Sequence, residues 1–121
     1  MRRMALGGRQ GSPLTELRRG VLEHCVLAIA RDEEVYAFEL VRRLSEAGGL
    51  MTSEGTIYPL LARLRREGLV ETTWRESASG PPRRYYRTTA AGERAFAAFL
   101  ADWAAFRDAV DGLLGTHGGQ G

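Results

Sequence analysis

One cysteine, two histidines and no lysine occur among the 121 residues of the chain. The lone thiol, Cys25, excludes an intrachain disulfide framework, and with His24 and His117 as the only imidazoles there are too few nitrogen or sulfur ligands for a zinc cluster. No structural metal and no cofactor are expected. Long hydrophobic runs are also missing: none approaches the roughly 20 residues of a membrane span, and Met1 to Gly20 mixes arginines with glycine and polar residues where a signal peptide would be apolar. The expectation is therefore a cytoplasmic protein without a membrane partner. Serine, histidine and aspartate occur with no nucleophile elbow or glycine-rich phosphate loop to organise them, so no enzyme is expected.

What is present is arginine. All 17 cationic residues are arginines, and their placement says more than the net charge of +2. Residues 1–87 carry 15 of them against 11 acids, whereas 88–121 carry only Arg94 and Arg107 against Glu93, Asp102, Asp108 and Asp111. A basic body followed by an acidic C-terminal segment suggests an anionic partner for the body, although solvated charged faces would read the same way. With 44% hydrophobic and 26% charged residues, the composition is that of one globular domain with a single core.

Residues 1–12 read as a loose leader and 115–121 as a loose tail, both rich in glycine and without periodicity. Between them, apolar spacing predicts a first helix from Pro13 to about Ala30 with two stripes, Leu14, Leu17, Val21, Cys25 and Ala28 beside Leu22, Val26 and Ile29. So small a domain has few elements to cover both stripes. A second helix is expected over 35–47, with Ala37, Leu40, Val41 and Leu44 inward and a stop at Gly48-Gly49. A third begins near Thr52-Ser53, turns Ile57, Leu60, Leu61 and Leu64 inward, and ends at Gly68, with Pro59 loosening its first turn. Leu69 to Arg75 and Arg84 to Thr88 read as two strands joined by a turn-rich loop over Ser77 to Pro82. A final helix spans 90–114.

Three helices and a hairpin describe a winged helix-turn-helix over 13–88, in a mainly α fold with a small β-hairpin. The third helix suits the major groove of double-stranded DNA, with Ser53, Glu54, Thr56, Tyr58 and Arg63 as candidate contacts, while Arg83 and Arg84 at the base of the wing suit phosphates or the minor groove. Winged helices also serve as protein-contact modules. In the last helix, Phe96, Phe99, Trp103, Phe106, Val110 and Leu113 alternate spacings of three and four, a coiled-coil seam. An isolated amphipathic helix cannot bury such a stripe. Residues 89–114 are thus expected to form a dimerisation helix, packed on a second copy of the chain and against Leu17 and Val21 of the first helix.

The run Ser53-Glu54-Gly55-Thr56-Ile57-Tyr58-Pro59-Leu60-Leu61, then Leu64, Glu67-Gly68-Leu69-Val70, and Arg84-Tyr85-Tyr86 with Thr89 and Gly92, resembles the PadR family of bacterial transcriptional regulators. The resemblance takes in the first helix and Tyr36 and covers about Leu14 to Leu114. It implies a homodimeric winged-helix repressor whose third helix reads an inverted-repeat operator, whose C-terminal helix makes much of the dimer interface, and which a small effector releases. By the same resemblance Tyr58 contacts the DNA backbone and Tyr85 and Tyr86 belong to the wing strand.

Short members with one C-terminal helix include multidrug-responsive regulators, in which a tryptophan from each subunit sandwiches a planar aromatic compound. Trp103 stands at the matching position. With Phe99, Phe106 and Arg107 it forms a candidate effector site, although Phe106 and Arg107 are bulkier and more basic than a pocket for cationic drugs requires. The four rings about a two-fold axis can interlock as core or leave a slot for a flat guest. A drug-binding protein or an interaction module with incidental DNA affinity is the alternative reading. Among single polar residues, Cys25 reads as a small buried hydrophobe rather than a redox sensor, His24 as a surface or interface residue, and Glu33-Glu34 as a solvated loop.

Overall fold

The computed structural model describes residues 13–47, 50 and 53–115, with side chains from Leu17 onward, Arg19 excepted. Leu14, the leader over 1–12, Gly48-Gly49, Thr52 and, apart from Gly115, the tail over 115–121 lie outside this description. The chain runs α1 (Pro13–Asp32), α2 (Ala37–Glu46), α3 (Glu54–Arg66), β1 (Val70–Ser77), β2 (Gly80–Thr88) and α4 (Ala90–Leu114). The two strands pair antiparallel, with Val70 opposite Thr88, Thr72 opposite Tyr86 and Trp74 opposite Arg84. This is the expected winged helix-turn-helix with a long helix following it.

One core holds the elements together. Of the two stripes on α1, Leu22 and Val26 go inward together with Leu27 and Ala30, against Val35, Ala37, Leu40, Leu44, Ile57, Leu61, Leu64, Val70 and Tyr86. Each fully buried leucine or isoleucine here contributes about 1.5–3 kcal/mol relative to exposure. The other stripe stays outside, with Leu17 exposed and Val21 and Cys25 only partly covered. Thr88 is buried as well, its hydroxyl donating to the Leu27 carbonyl at 2.8 Å, which ties the end of the wing to the middle of α1.

The boundaries differ from expectation at two places, each with a backbone reason. Helix α2 starts at Ala37, not at Val35, because Val35 is used as a strand residue: its N–H donates to the Tyr86 carbonyl at 3.1 Å and its carbonyl accepts from Tyr86 N–H at 2.7 Å. The hairpin has no long loop. Strand β2 already begins at Gly80 and includes Pro81 and Pro82, leaving Ala78 and Ser79 as the turn, and a bulge lies between Arg75 and Ser77. Proline has no N–H to pair, which costs little at the bulge of a two-stranded ribbon whose edges are open.

Helix α3 keeps its expected stop and runs unbroken through Pro59. Its first turn is nevertheless tightened, the N–H groups of Thr56 and Ile57 both donating to the Ser53 carbonyl at 3.0 Å. At its end Gly68 takes φ 76°, the left-handed conformation that glycine adopts without steric cost. That geometry lets Leu69 N–H reach the Leu64 carbonyl at 2.9 Å and Gly68 N–H the Arg65 carbonyl at 3.0 Å, a Schellman motif that turns the chain into β1. Thr89 then caps α4, its hydroxyl accepting from Gly92 N–H at 3.1 Å and donating to the Gly68 carbonyl at 2.7 Å.

Candidate nucleic-acid interface and the α1–α4 groove

Helix α3 is anchored by Ile57, Leu61 and Leu64, so the opposite face is presented outward. Ser53, Glu54, Thr56 and Tyr58 are all exposed there, and Ser53 makes no capping bond with its side chain. Arg65 and Arg66 are exposed in the last turn. Arg63 is held differently. Its guanidinium lies 2.5 Å from Glu23 on α1 and 3.5 Å from Glu67 one turn on.

The wing brings further cations to the same side. Arg84 stacks over Trp74 at 4.8 Å and Arg83 over Tyr36 at 4.6 Å, both cation–π contacts. Between α2, α3 and the wing lies a cleft of about 380 Å³ whose walls include Tyr36, Phe38, Tyr58, Trp74, Arg83 and Arg84. The expected contacts Tyr58, Arg83 and Arg84 therefore meet in one place. Thr56 and Arg63 line a separate cleft of about 400 Å³ with Gly55, Pro59 and Arg66.

Within the first cleft the Arg84 Nε is buried and has no hydrogen-bond partner. Phe38 at 55% and Trp74 at 60% exposure are large apolar surfaces beside it. Sequence reasoning overlooked both as site residues. Phe38 carries the weak signal of an aromatic outside the inward face of its helix at 37, 40, 41 and 44, whereas the pairing of Trp74 with Arg84 appears only in the folded strand register.

Glu33 and Glu34 lie in the expected loop between α1 and α2, Glu33 exposed, and Glu34 braces the wing. Glu34 is partly buried and pairs with Arg75 and, at 3.9 Å, with Arg87, while Glu33 pairs with Arg43 at 2.9 Å. Arg75 also lies over the Tyr85 ring at 4.7 Å, and Tyr85 meets Tyr36 edge-on at 5.4 Å. These contacts fix the outer face of the wing to the start of α2.

A second concavity lies between α1 and α4, a groove of about 410 Å³ lined by Leu17, Gly20, Val21, Phe99, Asp102, Trp103 and Phe106. The expected dimerisation residues Leu17, Val21, Phe99, Trp103 and Phe106 are gathered along it. Phe96 packs inward against the core and under Arg31 at 4.9 Å, while Val110 is partly covered and Leu113 exposed further along α4. Arg107 is not among the lining residues and pairs with Asp108 at 3.6 Å. Among the described residues lining the groove, the charged group is the carboxylate of Asp102.

The rings form a continuous stack. Phe106 and Trp103 are 6.2 Å apart, Trp103 and Phe99 5.9 Å, and Phe99 lies flat on His24 at 3.9 Å with 6° between the planes. Burial pushes the His24 imidazole below its ordinary pKa, opposed by nearby Glu23 and reinforced by Arg63. Burial likewise pushes the Cys25 thiol up, away from the reactive thiolate. Among the described residues no helix is long and apolar enough to cross a membrane, and no cluster of His, Cys, Asp and Glu could hold a metal ion.

The chain is similar in sequence and fold to known proteins. The profile of the transcriptional regulator PadR-like family matches residues 26–98. A transcriptional regulator of Mycobacterium tuberculosis is 35% identical over 102 residues, which cover 84% of this chain and 91% of that protein. Among solved structures, a PadR-like transcriptional regulator from Bacillus cereus is 40% identical with a TM-score of 0.76, the match covering 84% of this chain and 99% of that one. A PadR family regulator from Eggerthella lenta is 39% identical with a TM-score of 0.76, over 86% of this chain and 90% of that one. From the winged fold, its outward helix face and these likenesses together, the chain belongs to the PadR-like family of transcriptional regulators.

Proposed function

We propose that the protein is a homodimeric repressor that acts in the cytoplasm on an inverted-repeat operator in double-stranded DNA and is released by a planar aromatic compound bound between α1 and α4. The observation that carries the DNA half is the cleft shared by Tyr58 of α3 and Arg83 and Arg84 of the wing. A helix in the major groove and a wing on the neighbouring backbone must be bridged by a strand of sugar-phosphate, and this cleft has the cations and ring faces for it. Ser53, Glu54, Thr56 and Arg63 are assigned to base edges and neighbouring phosphates, Arg83 and Arg84 to phosphate. Two α3 helices related by a dimer axis would read half-sites about 10 base pairs apart, centre to centre.

The dimer half is supported by the α4 seam, an apolar stripe only partly covered at Phe96, Phe99, Trp103 and Val110 and exposed at Phe106 and Leu113. For the effector, ring faces at Phe99, Trp103 and Phe106 and the carboxylate of Asp102 favour a flat cation over an anion. Fluorescence anisotropy against the upstream DNA of its own gene and a scrambled duplex, at about 0.15 M salt, tests the reading. A thousandfold preference or more supports an operator-specific regulator of its own promoter. Equal weak binding to both would sink autoregulation and favour a drug-binding protein or adaptor with incidental DNA affinity.

A further inference from the structure

We propose that Glu23 sets the DNA specificity of this protein by holding Arg63 away from arbitrary phosphates, so that the α3 face is selected by bases more than by charge. The inference rests on the DNA-binding reading above. Glu23 stands on α1 with its side chain 22% exposed, and its Oε1 reaches Nη2 of Arg63, 40% exposed, at 2.5 Å. A charge-assisted bond from a partly shielded carboxylate is among the stronger polar contacts a surface arginine can make. The second carboxylate, Glu67, is exposed, one helical turn away and at 3.5 Å, the kind of pair that contributes little. Glu23 is therefore the restraint that matters.

The restraint is rigid. Glu23 follows Leu22 and lies one turn before Val26 and Leu27, all three in the core, and its neighbour His24 is stacked on Phe99 of α4. Arg63 in turn lies two turns along α3 from Thr56, and both line the same cleft with Arg66. Of the two arginines there, Arg66 is exposed and available to any phosphate, whereas Arg63 carries an internal anion in the place a phosphate would take. An unrestrained guanidinium adds about 0.9 to the log–log salt slope of binding to any duplex, which tightens specific and nonspecific complexes alike and dilutes discrimination. A guanidinium already held by Glu23 gains little by exchanging that anion for an arbitrary phosphate, because its planar fork matches carboxylate and phosphate alike, so a base edge such as O6 and N7 of guanine becomes the contact that discriminates.

Anisotropy titrations over a salt series with operator and scrambled duplexes, on wild type, Glu23→Gln, Arg63→Gln and the double variant, separate the possibilities. An operator preference in the wild type establishes the underlying reading independently of Glu23. Given that preference, Glu23→Gln should tighten scrambled-duplex binding about threefold to tenfold and steepen the slope by up to about 0.9, lowering the specificity ratio. The gain should vanish in the Arg63→Gln background. Unchanged scrambled binding in Glu23→Gln, or a gain that persists without Arg63, overturns the proposal. A variant that fails to fold leaves a second comparison decisive. Arg63→Gln alone should weaken scrambled binding less than twofold while Arg66→Gln weakens it severalfold, and equal losses in the two would also overturn it.

Discussion

Gly92 occupies a position where two opposed effects can be weighed by magnitude. A Cβ there would stand 2.1 Å from the Leu69 carbonyl oxygen and 2.6 Å from Cγ2 of Thr88, and the first of these is backbone that cannot step aside. In an open helix Gly→Ala gains about 1 kcal/mol of helix propensity. Here overpacking costs about 3 kcal/mol and wins. Gly92→Ala is expected to destabilise the protein by about 2 kcal/mol net in urea denaturation, and an unchanged or raised midpoint would contradict the close approach of α4 to the start of β1. His24 gives a residue-level prediction of different kind. Its folded pKa lies below the ordinary 6.5, so between the two values the unfolded chain binds more protons than the folded one. Stability from this group is thus full above pH 6.5 and declines as pH falls through that window. The urea midpoint of wild type should drop more between pH 7.5 and 5.5, both about one unit from the ordinary value, than that of His24→Phe, which keeps the stack on Phe99. Parallel curves would assign the pH dependence to other groups.

At the scale of elements, α3 and the wing are expected to fail differently when altered. Arg83→Ala combined with Arg84→Ala removes the cations proposed to contact the DNA backbone, so affinity should fall alike for operator and scrambled DNA and the salt slope should lose about 0.9 for each phosphate contact. Thr56→Ala should instead flatten the base preference on one side of each half-site, measured with a set of single-substitution duplexes. A loss confined to the operator in the wing variant would reverse the assignment. The helix faces on which this rests were legible in the sequence, because Ile57, Leu61 and Leu64 recur at helical spacing and Gly68 supplies the left-handed stop. What was not legible depends on pairing across distance. Val35 joins Tyr86 and so shortens α2, Pro81 and Pro82 are absorbed into an edge strand, and Phe38 and Trp74 become cleft walls only when α2 and the hairpin meet. Glu33 and Glu34 do lie in a loop, but their ion pairs were not legible, since their arginine partners lie 10 to 53 residues away along the chain.

At the scale of the whole molecule, the stripe on α4 passes from buried support at Phe96 to the 88% exposure of Leu113, while the spare stripe of α1 ends in an open groove beside it. Exposed apolar surface of this length is costly for a lone chain and is relieved when two copies pack their seams. Phe106→Glu with Leu113→Glu should therefore sediment as a folded monomer with unchanged helical content and should lose operator affinity by more than tenfold, since each half-site is then bound without its mate; a dimer that survives both charges would place the interface elsewhere. The same geometry sets what an effector can do. A flat cation entering between Phe99, Trp103 and Phe106 would lie within reach of Trp103 and quench its emission, and Asp102→Asn should weaken that binding by about tenfold if the carboxylate is its counter-ion. Release of DNA demands more than binding. The ligand shifts the separation of the two α3 helices only by as much as it prefers one separation over the other, so a fivefold loss of operator affinity requires a coupling of about 1 kcal/mol. Reciprocity then requires operator DNA to weaken ligand binding by the same factor. Titrating a planar aromatic cation into the protein with and without saturating operator measures both sides of the cycle, and quenching that is identical in the two titrations would make the groove a binding site without a regulatory role.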